Sequence, residues 1–226
     1  MGQIIARKLQ EQPDLAKEGW IVDDQGEGGL QFDQGLCGRA LVEAWVLTQE
    51  PRYLEAARRA AAWAMSQPVV GNWNYNAFSV GLLARLAQAT GEAQYLEAAV
   101  AKARLGVLPG QLPSGRWLDA HNACAVYHDI LLHSLLELLA ALPAAHPFRP
   151  EVQEALERGL NQAAEETNTH GFTGTWTGNF AWALRLLGER PAWRTALNSS
   201  VNAAMTGRTK GLGMEAVAVL ELGAGR

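Results

Sequence analysis

The chain has 226 residues, 48% hydrophobic and 19% charged, enough to bury a sizeable core and unlike a disordered polymer. Its net charge of −4 gives no basic footprint for nucleic acid or an anionic membrane surface. No run of eighteen apolar residues crosses a bilayer, residues Met1 to Leu15 lack the apolar core of a secretory signal, and Cys37 and Cys124 are too few for a disulfide framework. A reducing cytoplasmic location and no membrane partner are the expectations.

In chain order, apolar periodicity predicts helices over 2–17, 33–48, 52–66, 76–89, 93–107, 121–141, 150–166, 179–187, 192–205 and 211–222. They alternate in kind. The helix at 52–66 gathers Leu54, Ala57, Ala61 and Met65 on one face and leaves Glu55, Arg58 and Arg59 off it. The run Leu131-Leu-His-Ser-Leu-Leu-Glu-Leu-Leu139 is apolar nearly all round, as a helix covered on most sides must be. The segment Thr48-Gln-Glu-Pro-Arg-Tyr-Leu-Glu-Ala-Ala57 recurs 42 residues later as Thr90-Gly-Glu-Ala-Gln-Tyr-Leu-Glu-Ala-Ala99, with a weaker copy at Leu187 to Leu197. Ten helices in five pairs, inner and outer by turns and without a linker, predict one all-α domain over 1–226: an α/α toroid of about five helix hairpins.

Connections from inner to outer helices are short, while those from outer to inner helices (Gly19–Gln31, Pro68–Tyr75, Leu108–Ala120, Thr167–Gly178) are long. All the long ones emerge at one end, where ordered loops on a rigid scaffold concentrate function. Trp20, Trp73, Trp117 and Trp176 fall in them, beside Asp23 and Asp24, Asn72, Asn74 and Asn76, Asp119, His121 and Asn122, and Asn179. The residues Asp33, Asn76, Asn122 and Asn179 also suit helix caps. Aromatic surface beside hydrogen-bonding side chains fits a sugar or oligosaccharide, with Trp20, Trp73, Tyr75, Asn76, Arg116, Trp117, Asn122, Trp176 and Asn179 as its candidate contacts.

The pattern Phe32-Asp-Gln-Gly-Leu-Cys-Gly-Arg-Ala-Leu-Val-Glu-Ala-Trp45, followed by Thr48 to Ala57, resembles the six-hairpin glycosidase-like superfamily, which includes unsaturated glucuronyl hydrolases and N-acylglucosamine 2-epimerases. The resemblance covers roughly residues 30–106 and implies a carbohydrate-active enzyme, glycoside-hydrolase-like, with catalytic aspartates at inner-helix starts. Asp33 and Asp119 match that placement, and two carboxyls in contrasting environments are what glycoside hydrolysis needs. The segment Asp119-Ala-His-Asn-Ala-Cys-Ala-Val-Tyr-His-Asp129 adds His121 and His128, two helical turns apart, as second candidates for acid/base work in a hydrolase, a sugar epimerase or a polysaccharide lyase. In the lyase, Tyr75 or Tyr127 and a charge-neutralising Arg116 would join them. Cys37, Cys124 and His121 form an alternative zinc set, although no cofactor motif is present and none is expected. The competing reading from another class is a non-catalytic carbohydrate-binding or scaffold toroid.

Overall fold

The computed structural model describes residues 29–117, 125–171 and 178–206. Among these the chain is all-helical, with no β-strand beyond an isolated antiparallel bridge between Gln111 and Trp117. We label the helices α1 (Gly29–Thr48), α2 (Pro51–Ser66), α3 (Trp73–Thr90), α4 (Ala93–Gly106), α5 (Ala125–Ala141), α6 (Arg149–His170), α7 (Gly178–Leu187) and α8 (Pro191–Met205); a 3-10 turn spans Leu108–Gly110. The expected helices at 2–17 and 211–222 lie outside the described residues.

Burial separates two kinds of helix. Nearly every residue of α3 from Asn76 to Ala87 and of α5 from His128 to Leu139 is buried. In α2 only Ala57, Ala60, Ala61 and Ala64 are buried, one stripe of an amphipathic helix. The half-exposed α1 packs on α3, α3 on α5 and α5 on α7. Helix α2 covers α1 and α3, α4 covers α3 and α5, and α6 and α8 pack on one another while covering α5 and α7.

The sequence repeat turns out to be a turn repeat. Thr48 Oγ1 donates to Ala44 O and accepts from Glu50 N, and Thr90 Oγ1 donates to Leu86 O and accepts from Glu92 N. Between threonine and glutamate the chain passes through the left-handed region, at Gln49 (φ 59°) and at Gly91 (φ 73°), which ends one helix and redirects the chain into the next. Pro51 and Pro191 then open α2 and α8, where a missing N–H costs nothing. Thr-x-Glu therefore encodes the short connection, and it carries no chemistry.

Several boundaries differ from the predicted ones, all at the long-loop end. Helix α1 begins at Gly29, four residues before the predicted start at residue 33. Gln31 is buried on α1, accepting from Ser79 Oγ and donating to Pro68 O. Helix α3 begins at Trp73, capped by Asn72, whose side chain accepts from Asn74 N. Trp73 and Tyr75 thus belong to a helix and not to a loop, and helix α6 runs on through His170. No helix of the described residues is long and apolar enough to cross a membrane.

Candidate acid-base site

The residues expected to line a sugar site divide into two groups. Trp20, Asp119, His121, Asn122, Cys124 and Trp176 lie outside the described residues. Most of the others are engaged in holding the fold. Asn76 is fully buried, accepting from Val70 N and donating to Val70 O, Asn72 O and Gly106 O, so it clamps the chain entering α3 onto the end of α4. The N-cap of α3 is Asn72, four residues before it. Asn76→Ala is expected to cost about 2–4 kcal/mol in urea unfolding, because the buried Val70 and Gly106 groups would lose their partners; an unchanged midpoint would sink that account.

Trp117 is buried and its Nε1 donates to Val107 O, while the half-buried Trp73 packs its indole where a Cβ on Gly110 would lie 2.4 Å from the ring. Arg116 is held by Glu166 of α6 through two hydrogen bonds of 2.9 Å, so the charge expected to neutralise a substrate is already matched. His128 donates from Nε2 to Gly159 O at 3.0 Å and faces α6. Asn179 is no cap of α7: it donates from Nδ2 to Asp129 O and accepts from His133 Nδ1 at 3.0 Å, tying α7 to α5. Tyr75 is half-buried in the first turn of α3.

Asp33 lies in the second turn of α1, past the cap position. It shares a face with the half-buried Cys37 one turn on, and burial followed by the Asp33 charge pushes that thiol up. No three metal-binding side chains converge among the described residues, and two members of the expected zinc set lie outside them.

Another group of side chains meets where no sequence motif pointed. Arg39 of α1 passes across α3 at Gly81, where a Cβ would stand 3.8 Å from Arg39 Cδ and 3.3 Å from Ser134 Oγ. It thereby reaches Glu137 of α5, Nε to Oε1 at 3.5 Å. One turn further along α1, Glu43 takes a bidentate pair of hydrogen bonds from Arg85 of α3, the longer one 3.1 Å. One turn back along α5, His133 Nε2 stands 3.8 Å from Glu137 Oε1, and the His133 ring lies edge-on to Trp182 of α7 with centroids 5.4 Å apart. Phe32 and Phe78 form an edge-to-face pair between α1 and α3, 4.7 Å between centroids.

This network has a direction. The side chain of Glu137 is 5% exposed, those of Arg39 and Arg85 about a fifth, and that of Glu43 47%, so charge runs from a buried end to a wet one. Burial pushes the Glu137 carboxyl up to about 7 despite the nearby Arg39 and Arg85 cations. Burial lowers His133 to about 3, Arg39 adding to the effect and the Asn179 bond opposing it. A neutral imidazole therefore adjoins a carboxyl poised near neutral pH, the condition for a proton donor or acceptor.

The repeat holds one signal for this group. Glu43 and Arg85 are 42 residues apart, in the same register of neighbouring units, as are Arg39 and Gly81. Equivalent positions of stacked repeats lie side by side, so opposite charges in one register predict a bridge. Glu137 carries only the oddity of a carboxylate inside a leucine-rich run. A separate shallow groove of about 550 Å³ lies between the start of α6 and the α5–α6 turn, lined by His146, Pro147, Arg149 and Gln153. Its two carboxylates, Glu154 and Glu157, are paired with Arg158 and Arg190.

No protein-family model, no curated protein and no solved structure matches this chain.

Proposed function

We propose that the chain is an α/α toroid of about five hairpins whose inner wall carries a glycoside-hydrolase-like pair acting on a sugar or oligosaccharide, with Glu137 as proton donor and Glu43 as base or nucleophile. The observation that carries the reading is the convergence of Glu137, Arg39, Arg85 and Glu43 from three inner helices. One carboxyl is buried and poised near neutral pH, while the other is wet and paired to a guanidinium. Two carboxyls driven apart by their surroundings are the requirement for glycosyl transfer to water. Glu43 stands in the Phe32–Trp45 segment on which the family resemblance rests, and the half-buried Phe32 and Trp182 offer apolar surface for the face of a sugar ring. Arg39 crossing over α3 to α5 supports curvature of the inner layer, and the exposed Leu36 and Leu47 of α1 support a further helix beside that edge. The acid/base role thus moves from Asp33 and His128 to Glu137 and Glu43.

The scaffold reading is favoured by one specific finding: Asn76, Arg116, Trp117 and Asn179 are all taken up in internal bonds. A panel of aryl glycosides and oligosaccharides presented to the full chain decides between the two. The enzyme reading expects hydrolysis of at least one member. It also expects Glu137→Gln and Glu43→Gln each to lower kcat by about 10²–10⁴-fold while the far-UV spectrum is unchanged. A thermal shift with a sugar and no hydrolysis makes the chain a binding scaffold; neither shift nor hydrolysis makes the network structural.

A further inference from the structure

Near the start of α5, three buried polar atoms point at a second site. Arg116 Nη1, His128 Nδ1 and Asp129 Oδ2 are each shielded from solvent and without a hydrogen-bond partner, although His128 is 2% and Asp129 8% exposed. Their neighbours are fixed. Arg116 spends Nε and Nη2 on Glu166, and His128 spends Nε2–H on Gly159 O, which leaves Nδ1 as a lone-pair acceptor. The Trp117 ring against His128, 5.4 Å between centroids, brings the Arg116–Trp117 segment onto the start of α5, where His128 and Asp129 are consecutive, and the Arg116 charge acts on both.

The loop that brings Arg116 there is built rigidly onto α6. Gln111 donates to Ala155 O and accepts from Arg158, and Gly115 (φ +95°) packs so tightly that a Cβ would stand 2.3 Å from Arg158 O. The Trp117 ring closes the cluster beside His128, centroids 5.4 Å apart. Orphaned polar atoms in a buried, well-packed wall are costly, and native structures rarely leave three together.

Charge decides the class of molecule that would serve them. Glu166 matches Arg116, burial holds the His128 imidazole neutral, and burial also raises Asp129, so neither an anion nor a cation improves the balance. The hydrogen-bond inventory asks for a group that accepts once, from Arg116, and donates twice, to His128 and Asp129. We propose that Arg116, His128 and Asp129 hold a small neutral hydroxylic molecule, with water as its simplest form and the hydroxyls of a polyol as the alternative source. Three bonds are the usual complement of a buried water. This site does not rest on the acid-base reading of the inner wall.

High-resolution crystals of the full chain, grown in salt buffer and in glucose, test it directly. A density peak within hydrogen-bonding distance of all three atoms is expected. The same peak under both conditions identifies water, and sugar density in glucose identifies a polyol. Rotation of the three side chains onto one another or onto other protein groups, with no such peak, overturns the proposal. In solution, Asp129→Leu should lower Tm by roughly 3–8 °C, and Asp129→Asn, which keeps an acceptor, by less than half as much. Were the carboxyl bare, the leucine would be neutral or stabilising, and that result also overturns the proposal. If Asp129→Leu does not fold, the asparagine variant and its crystals still decide.

Discussion

Replacing Gly35 by alanine is expected to cost about 3 kcal/mol or more, the largest loss from any single methyl group added to α1. A Cβ built on Gly35 lies 2.6 Å from the backbone carbon and oxygen of Phe78, and from its Cβ. Backbone atoms cannot swing aside as a side-chain tip does, so α1 and α3 would have to separate. Their separation would also disturb Gly38, whose absent Cβ would stand 2.9 Å from Leu82 Cδ2 and 3.0 Å from Ala60 Cβ, and the Phe32–Phe78 pair. Gly91→Ala provides the control. Gly91 has φ +73° and nothing within 4 Å of a built Cβ, so that variant meets only left-handed backbone strain, about 1 kcal/mol. Urea unfolding midpoints should fall far more for Gly35→Ala than for Gly91→Ala. Equal midpoints would show that the α1–α3 contact gives way easily and that the close packing is not what holds these helices.

The same division between local and tertiary causes decides how much of the fold is legible in the sequence. The helices between Leu36 and Leu197 are legible because each is an uninterrupted 3.6-residue pattern ended by Thr-x-Glu, proline or a left-handed glycine, signals that act within a few residues. Starts at the long-loop end are misread because side chains fixed by tertiary contact override local chemistry. Asn76 resembles a cap yet reaches back to Val70 and across to Gly106, and Gln31 looks like loop yet is buried against Ser79. The acid-base group is the least legible part. Arg39 meets Glu137 by crossing a whole helix at a residue without a side chain, and nothing within a window around either residue encodes that meeting. Tryptophan is the opposite case. Its abundance in the long connections suggests ligand surface, but Trp117 is consumed as core and Trp73 packs against Gly110, as large aromatic rings often are where helices end.

Arg39→Met should destabilise the chain by about 1 kcal/mol more at pH 8 than at pH 6, because it leaves Glu137 without its cation only where that carboxyl is ionised, and uptake of a proton caps the loss at roughly 1.4 kcal/mol one pH unit above its value of about 7. The sign follows from the four perturbed groups of α5. Asp129 and Glu137 have carboxyls raised from 3.8 and 4.5 to about 7, first by burial, so their stabilising effect is complete below the unfolded values and is lost as pH rises through about 7. His128 and His133 are lowered from 6.5 to about 4 and about 3, again first by burial, so their effect is complete above 6.5 and is lost as pH falls. Between about 4.5 and 6.5 the folded chain holds two protons on the carboxyls where the unfolded chain holds two on the histidines. The slopes cancel, and these groups give a plateau. Above 6.5 only the carboxyl contribution still changes, and stability declines through neutral pH. Removing the Arg39 guanidinium raises Glu137 further and steepens that decline, whereas Arg39→Met combined with Glu137→Gln should abolish the difference between pH 6 and pH 8 attributable to this pair. Urea midpoints of the wild type, the single variant and the double variant at the two pH values supply the measurement. If Arg39→Met costs the same at both, the ionised Glu137 does not depend on Arg39, and the proposed chemistry loses the acid on which it rests.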